Sequence, residues 1–204
     1  MIVIPDLNVQ KILLPTAYLP SMAWSTACWN ADIVVIEACE NYQKGSMRNR
    51  AHVVGPNGIQ RLSIPLVKGK HQQTDIRAVR IAYDEAGQRQ HWRTILTAYG
   101  NAPYFDHYCD DIRPFYEKKY AFLFDYNQAL MAFIFTKKMG WKGTLTLSET
   151  YSPPQENLLD QHNTARYPQV FEEKHGFVPN MSVLDLLFCC GKHGGEILAK
   201  SVTG

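Results

Sequence analysis

Eleven consecutive residues, Glu40 to Arg50, hold three cations (Lys44, Arg48, Arg50), three amides (Asn41, Gln43, Asn49), Tyr42 and Glu40. Arginine offers phosphate or carboxylate oxygens a planar fork, and lysine a point charge. Polar groups this dense between apolar runs need partners, either internal pairs or a bound anion. The stretch is therefore expected to hold an anionic small molecule through Lys44, Arg48, Asn49 and Arg50. Tyr42 is expected to pack on its ring, and Tyr18 joins the binding set. The competing reading pairs the cations with Asp32, Glu37 and Glu40 to pin the surrounding strands, with Tyr42 as a core aromatic.

Three residues are candidates for the chemistry itself. Histidine titrates near neutrality, so His91 is a candidate general base, weighed against a structural role at a helix start. Asp106 falls beside Tyr104 and His107 in a loop, where it is the other candidate for handling a proton and Tyr104 a contact to substrate. Cys39 follows a strand end near cations, which lower a thiol pKa and would favour a thiolate nucleophile for acyl transfer. A small core residue is the alternative for that cysteine. No histidine or cysteine spacing fits a metal. No Walker loop, Gly-x-Gly-x-x-Gly or Gly-x-Ser-x-Gly occurs, and the cofactor stays unassigned.

The elements around these residues are legible in part. Ile12-Leu13-Leu14 predicts a short buried strand, closed by Pro15. Ser21 to Asn30 predicts a helix capped by Ser21. The β-branched run Ile33-Val34-Val35-Ile36 predicts a central strand covered on both faces, with a ligand site at its C-terminal end. Asn57-Gly58 predicts a hairpin, with the return strand over 61–66. Alternation predicts another strand over 76–83. Trp92, Ile95, Leu96 and Tyr99 sit at helical spacing from His91, ended by Gly100. Residues 106–120 read as mixed helix broken by Pro114, and 124–139 as a helix closed at Gly140. Thr144 to Ser148 alternates as a strand. Long loops are expected over 68–74 and 152–166. Ser182 opens a last helix, with Asp185 in a capping box and Gly191 closing it.

These elements predict an α/β fold: a mixed sheet in the first half, a helical section packed on it, and a C-terminal strand, loop and helix. An α+β arrangement is the alternative. One domain spans the chain, sheet-rich over 1–85, helix-rich over 91–140 and C-terminal over 141–204. With 204 residues and a formal net charge of +2, bulk charge does not select nucleic acid as a partner. The longest apolar runs fall far short of a membrane span. Five irregularly spaced cysteines and an N-terminus unlike a signal peptide predict reduced thiols and a cytoplasmic protein. Oligomeric state stays open.

Several stretches carry a resemblance by their order and spacing. They are Ala31-Asp32-Ile33-Val34, Tyr42-Gln43-Lys44 with Arg48-Asn49-Arg50, Leu62-Ser63-Ile64-Pro65 and His91-Trp92. They continue with Tyr99-Gly100-Asn101-Ala102-Pro103-Tyr104-Phe105 and the run from Gly176 to Phe188. From about residue 12 to about residue 190 the chain resembles the WbqC-like family. Relatives often carry a histidine ahead of the position of Pro15; this chain has Leu14. The resemblance implies a transferase that adds glycine or another acyl group to a nucleotide- or lipid-linked sugar for bacterial O-antigen. The alternative is a non-catalytic module that binds an anionic glycan precursor or a partner enzyme.

Overall fold

The structure, a computed structural model, describes residues 9–67, 74–84, 86–155 and 165–201. Strands β1 (Lys11–Pro15), β2 (Ile33–Glu37) and β5 (Thr144–Leu147) form a parallel sheet in the order β1-β2-β5. Its register sets Leu13 against Val35, and Val35 against Thr146. The β-branched run thus takes the centre, where both faces are covered, and its Val34 and Ile36 are wholly buried. The outer strand β5 is short and mostly exposed, which limits its value as a template for stray pairing.

Helix α1 (Met22–Trp29) links β1 to β2 and is buried on every side from Met22 to Cys28. A helix that is apolar all round has to lie inside the molecule. Its orphan N-terminal amides are met in turn. Met22 N–H donates to the Met181 carbonyl, Ala23 N–H to Asn180 Oδ1 and Trp24 N–H to Ser21 Oγ. Helix α7 (Val183–Cys190) starts alongside, its Val183 N–H donating to the Pro20 carbonyl.

Among the described residues, the long route from β2 to β5 carries a hairpin and four α-helices. Strands β3 (Arg50–Gly55) and β4 (Gly58–Ser63) pair antiparallel as a separate two-stranded sheet. Of the predicted Asn57-Gly58 turn, Gly58 takes positive φ (+97°) and Asn57 does not; Pro56 supplies the bend instead. Helices α2 (Gly87–Tyr99), α3 (Phe105–Ile112), α4 (Pro114–Glu117) and α5 (Leu123–Ala132) follow. Pro114 starts α4, where its missing N–H costs nothing. Beyond α5 the chain widens into a π-helical stretch, Phe133–Met139, ended by Gly140 at φ +80°. Short α6 (Glu172–His175) precedes α7, and α8 (Gly194–Lys200) closes the described chain.

The α/β reading stands, with corrections to its parts. The sheet is not one mixed sheet of the first half: β5 joins β1 and β2, and the hairpin stands apart. Residues 76–83 are not a strand. Ile76–Ala78 forms a 3₁₀ turn, capped by the Asp75 side chain on Arg77 N–H at 2.7 Å. Ile76 and Val79 are both wholly buried. Three residues apart, they share a side of a 3₁₀ turn but would face opposite ways on a strand. Helix α2 starts at Gly87, before His91, because its first turn is polar and leaves no apolar period to read. The helix α8 went unread behind its two glycines. Of the loops expected over 68–74 and 152–166, residues 68–73 and 156–164 lie outside the described residues. One buried cluster takes side chains from the sheet, the hairpin and all four of α2, α3, α5 and α7.

Candidate functional site

The stretch that follows β2 folds inward. Arg48 and Glu40 are buried and meet through one edge of the guanidinium: Nε donates to Oε1 at 2.7 Å and Nη2 to Oε2. A bidentate pair of this kind uses the fork that an anion would otherwise take. For Arg48 the structure shows the competing arrangement, a pairing with Glu40. Asn49 is also an internal tie. Its Oδ1 accepts from Tyr42 Oη at 3.0 Å, and its Nδ2 donates to the Ile64 carbonyl at 3.0 Å. Tyr42 is thereby a buried phenol fastened to the hairpin, not an exposed platform. Lys44 stays exposed, and Arg50 Nη1 donates to the Gly45 carbonyl at 3.3 Å.

The structure brings Tyr18 and His91 together. Tyr18 lies beyond the end of β1 and is wholly buried. His91, in the second turn of α2, has Nε2 at 3.1 Å from the Ser63 carbonyl and Nδ1 at 2.9 Å from Tyr18 Oη. A carbonyl only accepts, so Nε2 carries the proton and Nδ1 receives the Tyr18 O–H. Tyr18 has then spent its proton, and Tyr116 Oη, 3.2 Å away, must donate to it. Every proton of the chain Tyr116–Tyr18–His91 is fixed. Tyr18 also stacks on Tyr126, with ring centroids 5.8 Å apart. Burial lowers the His91 pKa to about 4, with a smaller opposing effect from its bond to Ser63. Burial raises those of Tyr18, Tyr116 and Tyr126. The chain is therefore neutral near pH 7.

His91, Tyr116 and Tyr126 line a cavity of about 20 Å³, room for one water-sized group. Tyr83 and Gln88 line it too, and both border a groove of about 420 Å³ that also takes Asp84, Arg89, Tyr116 and Lys119. On the other side of Tyr83 a groove of about 450 Å³ runs along Leu66, Val67, Ile81 and Ala82. Tyr83 borders all three spaces. Its hydroxyl donates to the Tyr120 carbonyl at 3.0 Å and accepts from Tyr120 N–H at 2.8 Å, and Lys119 Nζ sits 5.3 Å from its ring centre. Gln88 Nε2 holds the Lys118 carbonyl at 2.7 Å, which fixes α2 against the segment after α4.

The remaining candidates lie elsewhere. Cys39 follows β2, and its thiol points to the Ser148 carbonyl at 3.5 Å. Beside it Glu37, wholly buried, accepts from Cys39 N–H (2.7 Å), Ser148 Oγ (2.7 Å) and Ser152 N–H (3.0 Å). That carboxylate ties β2 to the chain after β5, a role its sequence position did not announce. Asp106 is exposed in the first turn of α3, which suits the helix dipole. Tyr104 is half-buried next to it, its ring packed where a Gly191 side chain would stand. Asp185 is not a cap: Ser182 caps α7 alone, on Leu184 N–H, while the buried Asp185 accepts from Tyr167 Oη (2.8 Å) and Gln169 Nε2 (2.7 Å). Tyr99 Oη lies near enough for the Asp185 charge to raise its pKa further, after burial, yet makes no hydrogen bond of ordinary geometry. All five cysteines are free thiols. Among the described residues, no three His, Cys, Asp or Glu side chains gather at metal-binding distance.

Sequence reasoning missed Tyr83, Arg89, Tyr116, Lys119 and Tyr126. They come from four separate segments, and only the packing of α2, α4 and α5 assembles them. The one advance signal was tyrosine content, 11 in the chain, which exceeds what a core of aliphatic strands requires.

Comparison with known proteins supports the resemblance. The model of the WbqC-like protein family matches residues 16–162 and 157–197, and the chain belongs to that family. No curated protein and no solved structure matches it. Among the described residues, no helix is long and apolar enough to cross a membrane.

Proposed function

We propose that this chain is a transferase that binds a phosphate-bearing activated sugar in the cleft over His91 and passes it a glycyl or other acyl group. The product would serve bacterial surface polysaccharide, the role the family resemblance implies. The observation that carries this reading is the proton-fixed chain Tyr116–Tyr18–His91, which ends at a small cavity beneath an aromatic and cationic cleft. Arg89 and Lys119 border that cleft, and among the described residues neither pairs with a carboxylate. They would hold phosphate oxygens, and Tyr83 and Tyr116 would flank the sugar ring.

In the transfer, a hydroxyl or amine on the sugar attacks the carbonyl carbon of an activated acyl donor and gives up a proton, and the donor's leaving group departs with the electron pair of the broken acyl bond. Tyr116 can take it while passing its own to Tyr18, and Tyr18 in turn to His91 Nδ1. With the His91 pKa at about 4, holding that proton at pH 7 costs about 4 kcal/mol. That cost is small beside the barrier enzymes typically remove.

The test is incubation with nucleotide-linked sugars and glycyl or acyl donors, read by mass spectrometry of the sugar. A mass gain that falls sharply in Tyr116→Phe supports the transferase. A second reading, a module that binds the sugar without chemistry, is favoured by one fact: both His91 nitrogens are already engaged within the protein. Binding with no product, unaltered by Tyr116→Phe, would select it.

A further inference from the structure

The outward face of the β3–β4 hairpin carries charge that no carboxylate among the described residues balances. Ala51, Val53 and Leu62 are buried in the core. Their neighbours turn the other way, because side chains alternate across a strand. Arg50 and His52 lie opposite Ser63 and Arg61, so two guanidinium groups and an imidazole share one side. Burial first, then the charges of Arg61 and Arg50, lowers the His52 pKa. Lys44 adjoins Gly45, whose carbonyl holds Arg50 Nη1.

Arg50 contrasts with its neighbour Arg48. Arg48 commits its Nε–Nη2 edge to Glu40, whereas Arg50 Nε is buried with no hydrogen-bond partner among the described residues. Among the described residues no carboxylate pairs with Lys44, Arg50 or Arg61. Like charges across a two-stranded ladder repel, and a buried donor without an acceptor costs free energy. A bound anion would relieve the repulsion.

We propose that this face binds a phosphoryl-bearing small molecule, with two adjoining phosphoryl groups bridged between Arg50 and Arg61. The two residues are diagonal neighbours across the ladder, a separation of about 7–8 Å. Two planar forks and the Lys44 ammonium match a multiply charged anion better than a single carboxylate. The face shares no lining residue with the cleft over His91, so it does not rest on the function proposed for that cleft.

The experiment follows the His52 ring by NMR during a pH titration of the full chain, with and without inorganic pyrophosphate. Pyrophosphate seated between the arginines raises the His52 midpoint by about one unit, and added salt erodes the rise. Arg61→Gln and Lys44→Gln alter exposed side chains and should each weaken binding several-fold. Arg113→Gln, at an exposed pair with Glu117, should leave it unchanged. A His52 midpoint unmoved at millimolar pyrophosphate overturns the proposal, as does binding that Arg61→Gln fails to weaken. Uridine diphosphate, titrated in parallel, distinguishes a nucleotide source, which binds tighter than pyrophosphate, from a free diphosphate; either ordering supports the face.

Discussion

Removing Arg48 should damage the fold before it damages binding. The Arg48 and Glu40 side chains are 2% and 1% exposed and share two hydrogen bonds. Deleting one partner of such a buried pair strands the other charge, at a cost of about 3–5 kcal/mol. Replacing both with apolar residues of similar size removes the desolvation penalty along with the attraction, so the double change should cost much less. For a chain of this length each kcal/mol lowers Tm by roughly 2–4 °C, so Arg48→Met should lower it by roughly 6–20 °C. The Arg48→Met/Glu40→Met variant should recover a large part of that loss. The assay is thermal unfolding by circular dichroism, with urea unfolding as a check that the m-value is unchanged. If Arg48→Met keeps wild-type stability, the pair is not what anchors the stretch after β2, and the reassignment of Arg48 from ligand to structure fails.

Other outcomes follow from the same contacts. The His91 pKa is about 4 in the fold and 6.5 in the open chain. As pH drops, the unfolded chain therefore binds the proton first. Stability is whole above about pH 6.5 and declines toward pH 4, by about 3 kcal/mol in all. Asp185, whose pKa burial raises, titrates in the opposite sense. The measurement is accordingly the wild-type loss minus that of His91→Gln, and a difference that does not vary between pH 6.5 and 4 would contradict the buried neutral imidazole. Gly191 has φ +58° and ψ −138°, and a Cβ there would come within 2.8 Å of the Tyr104 ring. Gly191→Ala should cost at least about 1–3 kcal/mol, seen as a lower urea midpoint; an unchanged midpoint would show that the turn can relax.

Much of the scaffold was legible because its signals are local. Ser21 and Ser182 cap the helices they precede, Pro114 starts one, Gly140 ends one, and Ile33 to Ile36 is the buried central strand. Errors arose where two periods overlap, as at Ile76 and Val79, or where an exposed polar turn such as Gly87–Gln90 precedes the apolar repeat. The candidate site was legible only through His91 and Tyr18, and the sequence did not show that they touch. Whether Arg48 faces a ligand or Glu40 depends on chain reversal between them. The cleft residues Tyr83, Arg89, Tyr116 and Lys119 are joined by tertiary packing, which no short-range pattern encodes.

The most direct test of the cleft as a binding site is calorimetric titration of a panel of nucleotide-linked sugars into the wild-type chain and into Arg89→Gln/Lys119→Gln. Both changed side chains are exposed, so the variant should fold as the parent does. The parent should bind at least one such sugar saturably, and the variant should lose more than about tenfold in affinity. Equal affinity in the two proteins would contradict this, as would a parent that binds no member of the panel.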